Sequence, residues 1–142
     1  MFQDRYDVTT VIYAHLILSD STTTDVAIEL GFRASDPYSI QAELTANDVT
    51  STWLLARDLL VAGLGATEDA VAGEGDVQVW RDQDPEYLLV TLSGAGGTAL
   101  IATGAREVER FLVEARALVP IGTEGSRVDA AFEAFVTSLL TA

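Results

Sequence analysis

Residues 53–64 read WLLARDLLVAGL. Up to this point apolar residues alternate, with Val49, Ser51 and Trp53 on one face of a strand. From Leu55 they recur at helical spacing through Leu59 to Ala62 or Gly63, with Leu54 and Leu60 widening the stripe. The stretch therefore reads as a strand that passes into a short helix. Trp53 and Leu54 end the strand, Arg57 and Asp58 occupy the first helical turn, and Leu59 and Leu60 begin the buried side. Gly63 and Gly65 are expected to stop the helix, because glycine takes the left-handed conformation that commonly closes one. Neighbours on a helix point about 100° apart, so Arg57 and Asp58 do not pair with each other. An aspartate is favourable at a helix N-terminus and an arginine is not. Arg57 is therefore expected to pair with a carboxylate elsewhere in the subunit or across a subunit interface.

Strand patterns lie on both sides of this junction. Residues 8–18 are apolar on both faces and read as a well-covered strand, and SDSTTTD (19–25) is a turn. Val26, Ile28, Leu30 and Phe32 alternate as a second strand, and Ser35, Asp36 and Pro37 form a turn. Tyr38, Ile40, Ala42 and Leu44 make a third strand, which Ala46-Asn47-Asp48 connects to the fourth as an antiparallel meander. Beyond the short helix, the acidic loop 66–74 is expected to be the least ordered interior segment. Residues 76–80, 86–92 and 98–102 supply three more strands. Two helices follow. Val108, Phe111, Leu112, Ala115 and Val119 line the first, with Pro120 past its end. The second spans 126–141, with Ser126 as N-cap and Val128, Ala131, Phe132, Phe135, Val136 and Leu139 as its stripe. Strands first and helices last give an α+β fold, one domain over 1–142 with 1–7 as an N-terminal extension.

Composition removes whole classes of function. The chain has no cysteine, so disulfides, thiolate nucleophiles and cysteine metal sites are excluded. It has no lysine, which excludes a P-loop lysine, a Schiff-base lysine and a serine–lysine dyad. Its formal charge of −14 opposes binding to a nucleic-acid backbone or an anionic membrane. Acid concentrates at Glu68, Asp69, Glu74, Asp76, Asp82, Asp84 and Glu86, opposed only by Arg81. This run reads as a solvated loop and strand edge, with a partner-facing patch as the alternative. No apolar run has the length of a membrane span and no signal sequence is evident, so a soluble cytoplasmic protein is expected.

The motifs that suggest chemistry fail in context. Gly94, Gly96 and Ala99 match a dinucleotide-binding turn, but TALIA is a strand pattern where that turn requires a helix, so a hairpin is expected. DQDPE (82–86) begins like a calcium loop, yet Tyr87 stands at the glycine position and Ser93 at the glutamate position. His15 is the single histidine, in a strand pattern, and reads as structural or as an interface contact. No nucleophile, base and orienting group assemble, and no cofactor or metal is implied. The chain is expected to act by contact.

SDPYSI (35–40), WLLARDLLVAGL (53–64), GDVQVW (75–80), GGTALI (96–101), Phe111-Leu112 and VPIGTE (119–124) occur in one order over about residues 28–124. Together they resemble the SsgA-like proteins, actinomycete regulators of sporulation-specific cell division. The signature residues in this chain are Asp36, Pro37, Tyr38, Trp53, Arg57, Asp58, Leu59, Leu60, Gly63, Leu64, Gly75, Asp76, Val77 and Trp80. The resemblance implies a whirly-like fold of about seven mostly antiparallel strands and a homotrimer without enzymatic activity. It also implies action at the cell septum or spore wall through partners such as FtsZ or other SsgA-like proteins. The competing reading is a single-stranded nucleic-acid-binding module that stacks bases on Trp53, Trp80 and Tyr87; the −14 charge opposes it.

Overall fold

Alternation along the strands sets which side chains meet. In the computed structural model, which describes residues 5–18 and 22–141 apart from the side chains at 126–128, 130, 131 and 141, the alternating segments form one antiparallel sheet. Its strands are β1 (Val8–Ile17), β2 (Thr23–Arg33), β3 (Asp36–Ala46), β4 (Val49–Ala56), β5 (Val77–Arg81), β6 (Tyr87–Gly94) and β7 (Gly97–Gly104). They lie in the order β4-β3-β2-β1-β7-β6-β5. The helices are α1 (Arg57–Leu64) between β4 and β5, then α2 (Ala105–Leu118) and α3 (Glu124–Thr141) at the end. The α+β expectation and the seven strands hold.

One face of the sheet is the core. Ile12 and Ala14, Val26 through Phe32 on alternate positions, Ile40, Leu55, Val79, Val90 and Ile101 all point inward. α2 lays Val108, Phe111, Leu112 and Ala115 on this face. The sheet curls so that the β3–β4 and β6–β7 hairpins line one apolar mouth, where Trp53 shares a wall with Leu92 and Ile101. Among the described residues, the opposite face carries no helix. That corrects the reading of β1 as a strand covered on both sides: Val11 and Tyr13 are 51% and 81% exposed, since the helices cover only the concave face. Tyr6 does cover part of the outer face at β2. A Cβ on Gly31 would stand 2.8 Å from its ring, and the Asp7 carboxylate accepts from Ala34 N–H at 2.8 Å. The described part of the N-terminal extension is thus packed on the sheet; residues 1–4 lie outside the described residues.

Several boundaries differ from the sequence reading. Leu55 and Ala56 remain in β4 because they pair with Ile40 and Ser39, so the chain enters α1 at Arg57 with no linker. Gly63 lies inside α1. The helix ends at Gly65, whose φ of −102° is right-handed, so no left-handed closure occurs. Gly63 is required by packing: a Cβ there would overlap the Val79 side chain, standing 2.5 Å from Val79 Cβ. The 66–74 loop is pinned. Ala72 and Val79 exchange two backbone bonds of 2.9 Å, and Arg81 N–H donates to Ala66 O at 3.0 Å. Gly73 turns at φ +95°, where a Cβ would overlap the Val77 carbonyl oxygen. α3 begins at Glu124, ahead of the expected N-cap Ser126, whose side chain, like those of Val128 and Ala131, lies outside the described set.

Candidate functional site: a buried arginine clamp and the surfaces around it

Arg57 is the first residue of α1 and 1% exposed, among the most buried large side chains of the described residues. The abrupt strand-to-helix transition places it there, under the connector between α2 and α3. One terminal nitrogen donates to Val119 O at 2.6 Å and the other to Glu124 Oε2 at 2.7 Å. Its guanidinium lies 5.3 Å from the centre of the Phe32 ring. The expectation of a carboxylate partner is met within the chain, by a residue 67 positions away. Glu124 is 6% exposed, and its second oxygen accepts from Gly122 N–H at 2.7 Å. Arg57's hydrogen bond, followed by backbone N–H groups, holds the Glu124 carboxyl below the usual range against the opposing effect of burial. Arg57 Nε is buried with no acceptor. Asp58, by contrast, is exposed in the first turn and makes no capping bond, so the helix dipole is its favourable contact.

The other signature residues form packing units around this clamp. WLLARDLLVAGL and GDVQVW face each other, because α1 packs on β5 with Gly63 against Val79. Arg81 Nε donates to Leu64 O at 3.1 Å, which ties the two further. Leu60 is buried and Leu59 half-buried against Gly73. Asp76 is exposed, but its backbone carbonyl accepts from Ser93 N–H at 2.8 Å; Gly75 before it meets nothing within 4 Å, and Val77 is half-buried. Pro37 is fully buried at the head of β3 behind half-exposed Asp36, and Tyr38 lies by the root of α3 near Gly125. Sequence reasoning left Val119, Glu124 and Phe32 unnamed as Arg57's partners. The one signal was that VPIGTE (119–124) belongs to the same family pattern as Arg57.

The discounted motifs are structural. Gly94 pairs with Gly97, whose φ is +128°, so the glycine run is the tip of the β6–β7 hairpin, as expected. In DQDPE the Asp84 carboxylate accepts from Glu86 N–H at 3.2 Å, an internal turn bond. His15 pairs across the strands with Asp25 at 3.3 Å on the outer face. The acids at 68, 69, 74, 76, 84 and 86 are exposed, in keeping with a solvated edge. Among the described residues no three His, Cys, Asp or Glu side chains gather to hold a metal ion. None of the described helices is long and apolar enough to cross a membrane. Trp53 and Trp80 point to opposite faces of the sheet, since Trp53 pairs beside inward Ala42 and Trp80 beside outward Leu89. They do not form one stacking platform.

What remains is apolar surface on the outside. The mouth between the hairpins encloses about 420 Å³ and the groove between α1 and α2 about 310 Å³. On α3, Phe132, Phe135, Leu139 and Leu140 face solvent.

The architecture places the chain among α+β proteins built on a curled antiparallel sheet and closed by C-terminal helices. Within that class, residues 26–124 match the family model described as Streptomyces sporulation and cell division protein, SsgA, and the chain belongs to this family. It is 35% identical over 121 residues to the sporulation-specific cell division protein SsgB of Streptomyces coelicolor, covering 83% of this chain and 85% of that one. A solved structure from work on SsgB mutations that correlate with longitudinal cell division during sporulation of S. coelicolor superposes with a TM-score of 0.77. It is 33% identical and covers 84% of this chain and 94% of that one. The crystal structure of an SsgA-like sporulation-specific cell division protein from Thermobifida fusca gives a TM-score of 0.82 at 28% identity, over 92% and 94% of the two chains. A role in sporulation cell division follows from this membership.

Proposed function

We propose that the chain is a non-enzymatic regulator of sporulation-specific cell division, which positions or activates septum or spore-wall machinery through protein–protein contacts. The observation that carries this reading is the likeness to SsgB over most of both chains. Supporting it, the apolar side chains left outside the core lie on open faces. Contiguous apolar surface on a soluble protein marks interaction sites. In this reading the protein works in the cytoplasm at the septum, as a homo-oligomer, and its partners are FtsZ or other SsgA-like proteins. Nucleic acid is not among them: the −14 charge opposes phosphate binding.

The test has two arms. A fluorescent fusion in the source organism should sit at sporulation septa or spore walls, and deleting the gene should disturb septum placement or spore maturation. Purified protein should retain FtsZ or another SsgA-like protein in a pull-down. Unaltered sporulation after deletion would sink the regulatory reading, and failure to retain any of these proteins would remove the named partners.

A further inference from the structure

The mouth between the β3–β4 and β6–β7 hairpins continues inward. Behind it lies a cavity of about 40 Å³ in the core, and Leu44, Trp53, Leu92 and Ile101 line both. That volume is a few times the ~10–15 Å³ that one water needs, which suits the end of an unbranched chain. The mouth itself, at about 420 Å³, has room for the rest of such a chain. Strand β7 measures the depth. Ala99 lies in the mouth, Ile101 at the junction and Thr103 in the inner lining, and at about 3.4 Å per residue the distance from Ala99 to Thr103 is about 14 Å. An extended chain of about ten carbons, with bonds of about 1.5 Å set in a zigzag, has that length.

We propose that this slot binds a single-chain amphiphile with an uncharged, hydroxylated headgroup, its tail inward and its headgroup at the hairpin tips. Charge selects the class. The sequence carries 22 acids and 8 arginines, yet none of them lines the mouth or the cavity. In the inner lining the polar side-chain groups are the Thr103 hydroxyl and the Trp53 indole N–H, which donates to Ser51 Oγ at 2.9 Å. Apolar cavities of this kind take apolar ligands. The rim of the mouth differs. Ser51 and Thr98 bring hydroxyls there, and Gly94, Gly96 and Gly97 bring backbone without side chains. Thr98 shares a 3.0 Å bond with Ser93, and a hydroxyl so engaged keeps capacity to bond a sugar or glycerol oxygen. The charged residues at these hairpin ends are Asp48 in the β3–β4 turn and Asp76, whose carbonyl accepts from Ser93 N–H; both are acidic and repel an anionic headgroup. A protein surface laid across the mouth would leave the inner cavity unused, whereas a flexible chain fills both. The slot is independent of the protein contacts proposed above.

The experiment titrates the full chain carrying Trp80→Phe, which leaves Trp53 as the remaining tryptophan, with n-decyl-β-maltoside below the concentration at which it forms micelles. Trp53 fluorescence should shift and saturate in the micromolar range, and the melting temperature of the unaltered protein should rise with the maltoside. Shortening the tail to octyl should weaken binding by about tenfold, the effect of two buried methylenes. Lengthening it to dodecyl should gain much less, because the slot is about 14 Å deep. Ala99→Phe fills the mouth and should weaken binding by about tenfold or more while the circular-dichroism spectrum is unchanged. Ala46→Phe fills it from the facing hairpin and makes the same test where the first variant fails to fold. Decanoate should bind more weakly than the maltoside, and equal binding would overturn the uncharged headgroup. No saturable signal from the maltoside, an affinity that rises evenly through dodecyl, or indifference to both filling variants would overturn the slot.

Discussion

Replacing Gly63 by alanine sets two effects of opposite sign against each other. Gly63 is the seventh residue of the eight in α1, and alanine in a helix interior is favoured over glycine by about 1 kcal/mol. Against that, the new Cβ would stand 2.5 Å from Val79 Cβ and 3.3 Å from the Val79 carbonyl carbon, where carbon atoms prefer about 3.5–4.0 Å. Neither side can yield cheaply. Val79 is fully buried, pairs with Val90 in the sheet and is held by two backbone bonds to Ala72, and α1 is anchored at its first residue by Arg57. Overpacking of this kind costs about 1–3 kcal/mol. With an overlap against backbone-fixed atoms the upper part of that range applies, and the net loss after the propensity gain is about 1–2 kcal/mol. For a domain of this size that lowers the melting temperature by about 3–8 °C. Thermal and urea unfolding followed by circular dichroism measure it, with the summed fluorescence of Trp53 in β4 and Trp80 in β5 as a second probe. Gly65→Ala is the control, because its Cβ would meet only Ala62 O at 3.9 Å and its φ is right-handed, so it should be neutral or stabilising by about 0.4–1 kcal/mol. Adding Val79→Ala to Gly63→Ala should not recover the loss, because the Cβ at 2.5 Å stays in place. A Gly63→Ala protein as stable as Gly65→Ala would refute the packing argument.

Arg57→Ala removes one partner of a buried pair and should destabilise the chain by about 3 kcal/mol, read from urea denaturation. An unchanged midpoint would show the pair to be dispensable. The lowered pKa of Glu124 means that its ion pair contributes stability in full above the ordinary glutamate value of about 4.3 and loses it as pH falls through the lowered value. The melting-temperature gap between the unaltered protein and Glu124→Gln should therefore be widest near neutrality and shrink below about pH 4.3; a gap that grows on acidification would contradict the assigned direction. Asn47 and Asp48 turn the β3–β4 hairpin at φ 50° and 65°, the type I′ pattern in which Asn-Gly is preferred. Asp48→Gly should relieve about 1 kcal/mol of left-handed strain and raise the melting temperature.

Where period-2 alternation met a partner strand of the same kind, as in Val26 to Phe32 against Ile40 to Leu44, the sequence was enough to place the strand and its inner face. It was not enough where a neighbour decided the matter. Leu55 and Ala56 have helical spacing toward Leu59, yet Ile40 and Ser39 hold them in the sheet. The apolar residues on both sides of β1 suggested two covered faces, because alternation reports the strand and not how many layers the helices supply. Gly63 near the end of a helix resembled a terminator by local rule, while its actual cause lies in β5, sixteen residues on. The clamp was legible by half. Helix electrostatics required a partner for Arg57, but choosing Glu124 among twenty-two acids needed the tertiary contact.

That choice of partner bears on why a charged pair is used at all. Burying an arginine and a glutamate costs desolvation that an apolar pair of the same volume avoids, so stability alone does not account for the arrangement. Geometry does. The two terminal nitrogens of Arg57 end on different atoms of the α2–α3 connector, Val119 O and Glu124 Oε2, while the other Glu124 oxygen takes Gly122 N–H. These directional bonds fix the turn from Val119 to Glu124, and with it the angle at which α3 leaves the sheet. Apolar contacts, being non-directional, would hold the connector down without setting that angle. An 18-residue helix magnifies a small change at its root into a large displacement of Leu139 and Leu140, so the bonds at the connector set the direction in which the exposed stripe is presented.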